Sequence, residues 1–176
     1  MTRDEILALK PGPELDALVA EQVMGWTVNR WDNGPNGKLL FVDKDGKEFR
    51  SLSGPQEIWL PPEGQEDFRE REDQMWGNCP SLSTDISAAW QVVRKMEQLN
   101  WYLTIDPNTA EGYEQRYSVG FVYDDSTLSD EELNPLTYYQ HYIACSPDEI
   151  PAAICKTALL ANLEKPKKED SDGTKN

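Results

Sequence analysis

Three segments of this chain place apolar residues at helical spacing, and each therefore predicts an amphipathic α-helix. The first follows Pro13, whose fixed φ suits a first helical turn, and it ends before Gly25. The second follows Asp85, a residue type favoured at the N-cap, and the third begins near Asp148 after Ser146. The predicted helices cover residues 13–24, 84–99 and 149–163.

The chain between the second and third helices carries strand patterns instead. Residues 101–105, 115–122 and 137–145 alternate apolar with polar residues or are rich in aromatic and β-branched types. Strands joined by short links pair antiparallel. Helices 84–99 and 149–163 can cover one face of this sheet and helix 13–24 the other, with Trp90 and Trp101 in the core. The pattern predicts an α+β fold, an α/β/α sandwich with a small, mainly antiparallel sheet.

The pattern is weaker between the first two helices. Lys38–Asp43 and Lys47–Leu52 flank a turn that ends in Asp45-Gly46, which predicts a β-hairpin. Residues 61–75 are polar and charge-dense, and we expect an exposed loop or a loosely attached helical turn there rather than core.

The length of 176 residues suits one domain with an elaboration. We interpret residues 1–164 as a single sandwich domain with a loop-rich insertion at about 32–80. Residues 165–176 have nothing to bury and are predicted to form a disordered tail.

The net charge of −15 limits the kinds of partner that the protein can bind. Binding to a phosphate backbone or to an anionic membrane surface needs clustered Lys and Arg, so we expect neither direct nucleic-acid binding nor membrane association. The acidity is typical of a soluble protein, or alternatively of a nucleic-acid mimic that occupies a basic site on another protein. No apolar run is long enough to span a bilayer, and no signal pattern opens the chain, so we expect a cytoplasmic protein.

Few residues of the sequence are candidates for catalysis or metal binding. His141 is the one histidine, and Cys79, Cys145 and Cys155 show no metal-type spacing. Motifs of the common nucleotide-binding, metalloprotease and serine-hydrolase families are absent from the sequence. We therefore predict no metal, no cofactor and no enzymatic activity, with His141 as a ligand or general base, or Cys145 as a thiolate, as the weaker alternatives.

Several tryptophans lie in or beside irregular segments, where they either pack against the sandwich and hold the loops in place or form a binding surface. The binding interpretation needs cations or a histidine near them. The candidate ligand-binding residues are Trp31, Trp59, Trp76, Arg50, Arg116 and His141.

Three stretches of the chain together resemble one family of proteins. The first is Thr2-Arg3-Asp4-Glu5 followed by Gly12–Trp26; the second is Ser83–Val93 with Trp101-Tyr102; the third is Pro151–Ala161. In this order they resemble the phage ABA sandwich domain family. The resemblance implies a bacteriophage or prophage source and a sandwich architecture, and it carries over no catalytic residue.

The leading hypothesis is a non-enzymatic phage accessory protein that binds a host protein and inhibits or modulates it, in host takeover or anti-defence. The contact would be an acidic surface that contains aromatic residues. The first alternative is a phage sponge that sequesters a small nucleotide immune signal. An acidic nucleic-acid mimic and a small enzyme that uses His141 are further alternatives, and self-association into a homo-oligomer stays open.

Overall fold

A computed structural model describes residues 1–33, 36–47, 57–60, 68–108, 116–123 and 140–163. The helices within these residues are Arg3–Ala8 (α1), Pro13–Gln22 (α2), Phe68–Gly77 (α3), Ile86–Glu97 (α4) and Ile150–Leu163 (α5). The strands are Thr27–Asn33 (β1), Asn36–Val42 (β2), Glu57–Leu60 (β3), Trp101–Asn108 (β4), Arg116–Tyr123 (β5) and Gln140–Cys145 (β6). A 3-10 helix, Pro147–Glu149, leads into α5.

The helix ends follow the local chemistry of the sequence. Asp85 accepts a hydrogen bond from the Ser87 N–H at 2.8 Å and thereby caps α4. Glu149 accepts from the Ser146 N–H at 3.0 Å ahead of α5. Gly25 takes a φ of +71° just after α2, a conformation that strongly favours glycine. The three predicted helices are confirmed, with ends within two residues of the predicted ones.

The six strands form two antiparallel sheets of three strands each, in the orders β1-β2-β3 and β4-β5-β6. In the second sheet Phe121 lies opposite both Leu103 and His141, and Val119 opposite both Ile105 and Ile143. These residues share one face, because directly paired residues of antiparallel strands lie on the same side of a sheet. The α+β class predicted from the sequence is confirmed.

The helices lie between the two sheets. α4 and α5 pack on the β4–β6 sheet, as predicted, and α3 packs on the β1–β3 sheet. The predicted position of the first long helix differs, since α2 packs against α5 and α3 instead of covering the other face of the β4–β6 sheet. The reason is that α5 is buried on all sides, with ten buried residues of fourteen, and such a helix needs partners on more than one side.

One hydrophobic core joins both sheets through these helices. It includes Phe41 of the first sheet and Trp101 and Phe121 of the second, each fully buried. The core position predicted for Trp101 is confirmed, whereas that predicted for Trp90 is wrong: this side chain is 46% exposed. The buried stripe of α4 consists instead of Ala88, Ala89, Val92, Val93 and Met96.

Residues 68–77 correct another expectation. They form α3, which agrees with the helical alternative, but the expectation that the segment lies outside the core is wrong, because Met75 is fully buried in the common core. The turn predicted at Asp43–Gly46 is confirmed, with Gly46 at a φ of +75° and the Asp43 carboxylate accepting from the Asp45 and Lys47 N–H groups. The second strand predicted for that hairpin falls almost wholly outside the described residues, as does the predicted tail.

Candidate functional site

Five of the six candidate ligand-binding residues lie in described elements, distributed over both sheets and one helix. Trp31 lies in β1, Trp59 in β3 and Trp76 in α3, while Arg116 lies in β5 and His141 in β6. Arg50 lies outside the described residues. The structure therefore brings some of these positions together and keeps others apart.

Trp31 and Trp59 are brought to the same face of the first sheet. Each pairs directly with Lys38 of β2, one from either side, so that the three positions form a row across the sheet. We call Trp31, Lys38 and Trp59 the Trp–Lys–Trp row. Since neighbouring strands lie about 4.8 Å apart, the two tryptophan positions are about 10 Å apart with the lysine between them.

The face that carries this row is partly apolar. Leu40 and Val42 follow Lys38 at alternate positions of β2, and only 4% and 6% of their surface is exposed. They are not members of the common core, which takes Leu39 and Phe41 from the opposite face of the same strand. The Trp–Lys–Trp row thus borders a second, smaller apolar area outside the main core.

Trp76 has a different environment. Its ring packs against Phe41 with centroids 5.1 Å apart, and the Trp26 ring lies 6.0 Å from the same Phe41 ring. Such tilted aromatic contacts stabilise the packing of α3 and the chain after α2 on the first sheet. For Trp26 and Trp76 these contacts favour a structural role in packing over a role in ligand binding.

Arg116 and His141 do not form a common site. Arg116 is exposed at the start of β5, and His141 pairs with Phe121, five residues further along the same strand. That separation corresponds to about 17 Å along an antiparallel strand.

A second apolar surface, which the sequence reasoning missed, lies on α4. Ile86 and Trp90 are one helical turn apart and are 44% and 46% exposed. We call them the Ile86–Trp90 patch. Exposed Arg94 follows one further turn along. The signal in the sequence was the Ala88-Ala89 and Val92-Val93 pairs, which define a complete buried stripe without Trp90.

Cys79 and Cys155 belong to a buried polar cluster between α2, α5 and the segment before α4, whereas Cys145 lies at the end of β6. The Asp16 carboxylate, 3% exposed, accepts from the Ser83 N–H at 2.6 Å, and the Cys79 thiol donates to the Asp16 carbonyl at 3.6 Å. Burial, together with the nearby Asp16, raises the pKa of Cys79 to about 12. Burial also raises the pKa of Cys155 and of Cys145.

The raised pKa values make these cysteines poor nucleophiles, because a cysteine attacks as its thiolate. All three thiols stay protonated at neutral pH, so the environment of Cys145 disfavours the thiolate role considered from the sequence. In the part of the chain that the structure describes, no group of three His, Cys, Asp or Glu side chains is placed to hold a metal ion. None of the described helices combines the length and the apolar character that crossing a membrane requires.

Comparison with known proteins identifies a family for this chain. A family model described as "Phage ABA sandwich domain" matches residues 17–159, which is most of the 176-residue chain. The match confirms the resemblance carried by the three stretches of sequence. No curated protein and no solved structure matches.

Proposed function

This chain belongs to the phage ABA sandwich domain family, and on that premise we propose that it is a non-enzymatic phage accessory protein that binds a host protein. Binding inhibits or modulates that protein in the host cytoplasm, in host takeover or anti-defence. The observation that carries this proposal is the Ile86–Trp90 patch.

The patch has the character of a protein-binding hot spot. Tryptophan is the residue type most enriched at such spots, where a large ring enters a pocket of the partner and loses contact with water. About half of the Trp90 surface remains available for this purpose. The other side of α4 is fixed by five buried residues, so the ring is presented on a rigid helix and little ordering is needed on binding.

The charge around the patch indicates the kind of partner. The charge beside the patch is mixed, since Asp85 and Glu97 are exposed near the two ends of α4 and Arg94 lies one turn after Trp90, whereas the whole chain carries a net charge of −15. Complementary charge speeds association and excludes wrong partners. The proposed partner is therefore a host protein that is basic overall and has an apolar pocket for the Trp90 ring.

Affinity capture from an extract of the host bacterium tests the proposal. The wild-type chain is expected to retain a basic host protein, and Trp90→Ala is expected to lose it, because truncating a hot-spot residue costs about 2–4 kcal/mol, or about 30- to 1000-fold in affinity. Ile86→Ala is expected to weaken retention by a smaller factor.

Tyr102→Ala is the matched control, since Tyr102 is also aromatic and is 47% exposed, but lies on the β4–β6 sheet. Thermal unfolding of each variant shows whether the fold is kept. Retention of the same partner by Trp90→Ala would exclude the patch as the contact, and the lack of any retained partner would contradict the binding function.

A second candidate function rests on the Trp–Lys–Trp row. Aromatic side chains stack on nucleobases and a lysine pairs with phosphate, so two tryptophan positions on either side of Lys38 favour a small nucleotide as ligand. A phage protein with such a site would act as a sponge for a nucleotide immune signal. The partly buried Lys38 is the element that selects an anionic ligand.

Thermal shift against a panel of mono-, di- and cyclic nucleotides separates this candidate from the first. A ligand present at about 100 times its dissociation constant stabilises the fold by about 2.7 kcal/mol. Lys38→Gln should abolish the shift for a phosphate-containing ligand, while Lys44→Gln, in the exposed turn after β2, should leave it unchanged. A panel without any shift excludes the sponge function and leaves the protein-binding proposal untouched.

A further inference from the structure

Among the edge strands of the two described sheets, β6 differs from the others in its sequence. β6 pairs with β5 on one side, and no second strand pairs with it within the described residues. A free strand edge presents unpaired N–H and C=O groups, which form hydrogen bonds with any other extended chain. Proteins prevent this by placing charged residues or proline on their edge strands.

The other three edge strands carry such protection. β1 contains Arg30 and Asp32, β3 contains Glu57, and β4 contains Asp106 followed by Pro107. β6 has the sequence Gln-His-Tyr-Ile-Ala-Cys, with neither an acid, a lysine, an arginine nor a proline. In a chain with a net charge of −15, β6 is the one described edge strand that carries no Asp, Glu, Lys or Arg, so that two copies can pair there without burying a charge of either sign.

We propose that β6 is the dimer interface of this protein and pairs antiparallel with β6 of a second copy. The proposal goes beyond the binding function above and does not depend on it. A two-fold axis perpendicular to the sheet makes the interface isologous and joins the two β4–β6 sheets into one sheet of six strands.

The geometry restricts the register of this pairing. Opposite residues must share a face of the continuous sheet, so the axis passes through a residue and not between two residues. An axis at Ile143 aligns residues 141–145 of both copies and sets Tyr142 opposite Ala144 of the partner subunit. Tyr142 is half-buried and Ala144 is exposed in the single chain, so both have surface left to bury.

Sedimentation equilibrium of the full chain, measured over a range of protein and NaCl concentrations, tests the dimer. The expected mass is twice the 20.1 kDa of the chain. The dimer should become tighter as NaCl rises, because salt screens the repulsion between two copies that each carry −15 while the interface itself is uncharged.

Two lysine variants locate the interface. Ala144→Lys places a charge on the exposed face of β6 and should weaken dimerisation by at least about tenfold. Thr104→Lys adds the same charge to the same face at the β4 edge and should leave the dimer unchanged. Thermal unfolding confirms that both variants fold.

Several outcomes would overturn the proposal. A chain that is monomeric at every salt and protein concentration excludes the dimer, even if β6 then accepts a strand of another protein. Equal weakening by the two lysine variants excludes β6 as the site. A dimer that dissociates as NaCl rises has an electrostatic interface and not this one.

Discussion

The two sheets have the same size, order and antiparallel pairing, yet they are buried in different ways. The β4–β6 sheet buries Val119 and Phe121 on its helix-covered face and exposes Tyr102 and Ala144 on the other. The first sheet buries β2 on both faces, with Leu39 and Phe41 on one side and Leu40 and Val42 on the other. The central strand of the first sheet is therefore buried on both faces, whereas the second sheet is covered on one face and partly exposed to solvent on the other.

The difference is visible in the composition of the strands. β2 contains four apolar residues in succession, Leu39 to Val42, which is typical of a strand covered on both faces. β5 instead places Ser118, Gly120 and Val122 between the larger core residues, and Ser118 and Val122 on that second face are only partly buried. The same strand geometry is thus used in two settings, with β2 covered on both faces and the β4–β6 sheet covered mainly on one.

The largest expected loss of stability tests whether the two sheets unfold together as one cooperative unit. Phe41→Ala in the first sheet and Phe121→Ala in the second remove fully buried rings of one common core. Each should lower the free energy of unfolding by about 3–5 kcal/mol. Both variants should still unfold in a single transition by chemical denaturation. A second transition in Phe41→Ala alone would mean that the first sheet is an independent unit.

Two-sided burial of β2 is tested by Leu40→Ala. Leu40 is 4% exposed although it lies on the face away from the common core. Its truncation should cost about 2–5 kcal/mol in denaturant unfolding, as for any buried leucine. Thr104→Ala, at a half-buried site on the outer face of the second sheet, is the control and should cost much less. If both substitutions lowered the free energy of unfolding by the same small amount, β2 would be covered on one face only, like the strands of the second sheet.

The pH dependence of stability tests the contact between α2 and the chain before α4, which Asp16 and Ser83 form. Burial raises the pKa of Asp16, although its hydrogen bond from Ser83 opposes that rise. A raised pKa in the folded state means that the protonated form stabilises the fold. This contribution is complete below the unfolded value of 3.8 and is lost as the pH rises through the folded value.

Asp16→Asn removes this titration and keeps an oxygen that can accept from the Ser83 N–H. The free energy of unfolding of the wild type, measured relative to Asp16→Asn, should therefore fall as the pH rises from about 4 towards neutrality, by about 1.4 kcal/mol for each unit by which the pKa is raised. A difference that is constant with pH, or that grows with pH, would contradict the raised pKa.

The smallest expected effects concern local hydrogen bonds, one in each region. Ser146→Ala removes the hydroxyl that donates to Glu149 at 2.8 Å before α5, and Asp43→Ala removes the acceptor of two turn N–H groups after β2. Each should cost about 1 kcal/mol in thermal or denaturant unfolding. A much larger loss at Asp43 would show that this turn sets the register of the first sheet.

Local features of the fold could be predicted from the sequence because they depend on neighbours within a few residues. The cap at Asp85, the turn at Gly46 and the helix after Ser146 are of this kind. The candidate site was harder to predict. Trp31 and Trp59 are 28 positions apart, and only the pairing of each with Lys38 places them in one row. Trp90 was assigned to the core because an aromatic residue at helical spacing usually belongs there.

The sequence alone determined the class of the fold, the three long helices, the strands of the second sheet and the family to which the chain belongs. The tertiary structure decided that α5 lies at the centre with α2 behind it, and that Trp90 faces solvent while Met75 is buried. The physical reason is that periodicity shows which residues a helix can bury, whereas the neighbouring elements decide which of its sides are covered. Ala88 and Ala89 face the core, and the larger Trp90 on the flank of α4 remains available for a partner.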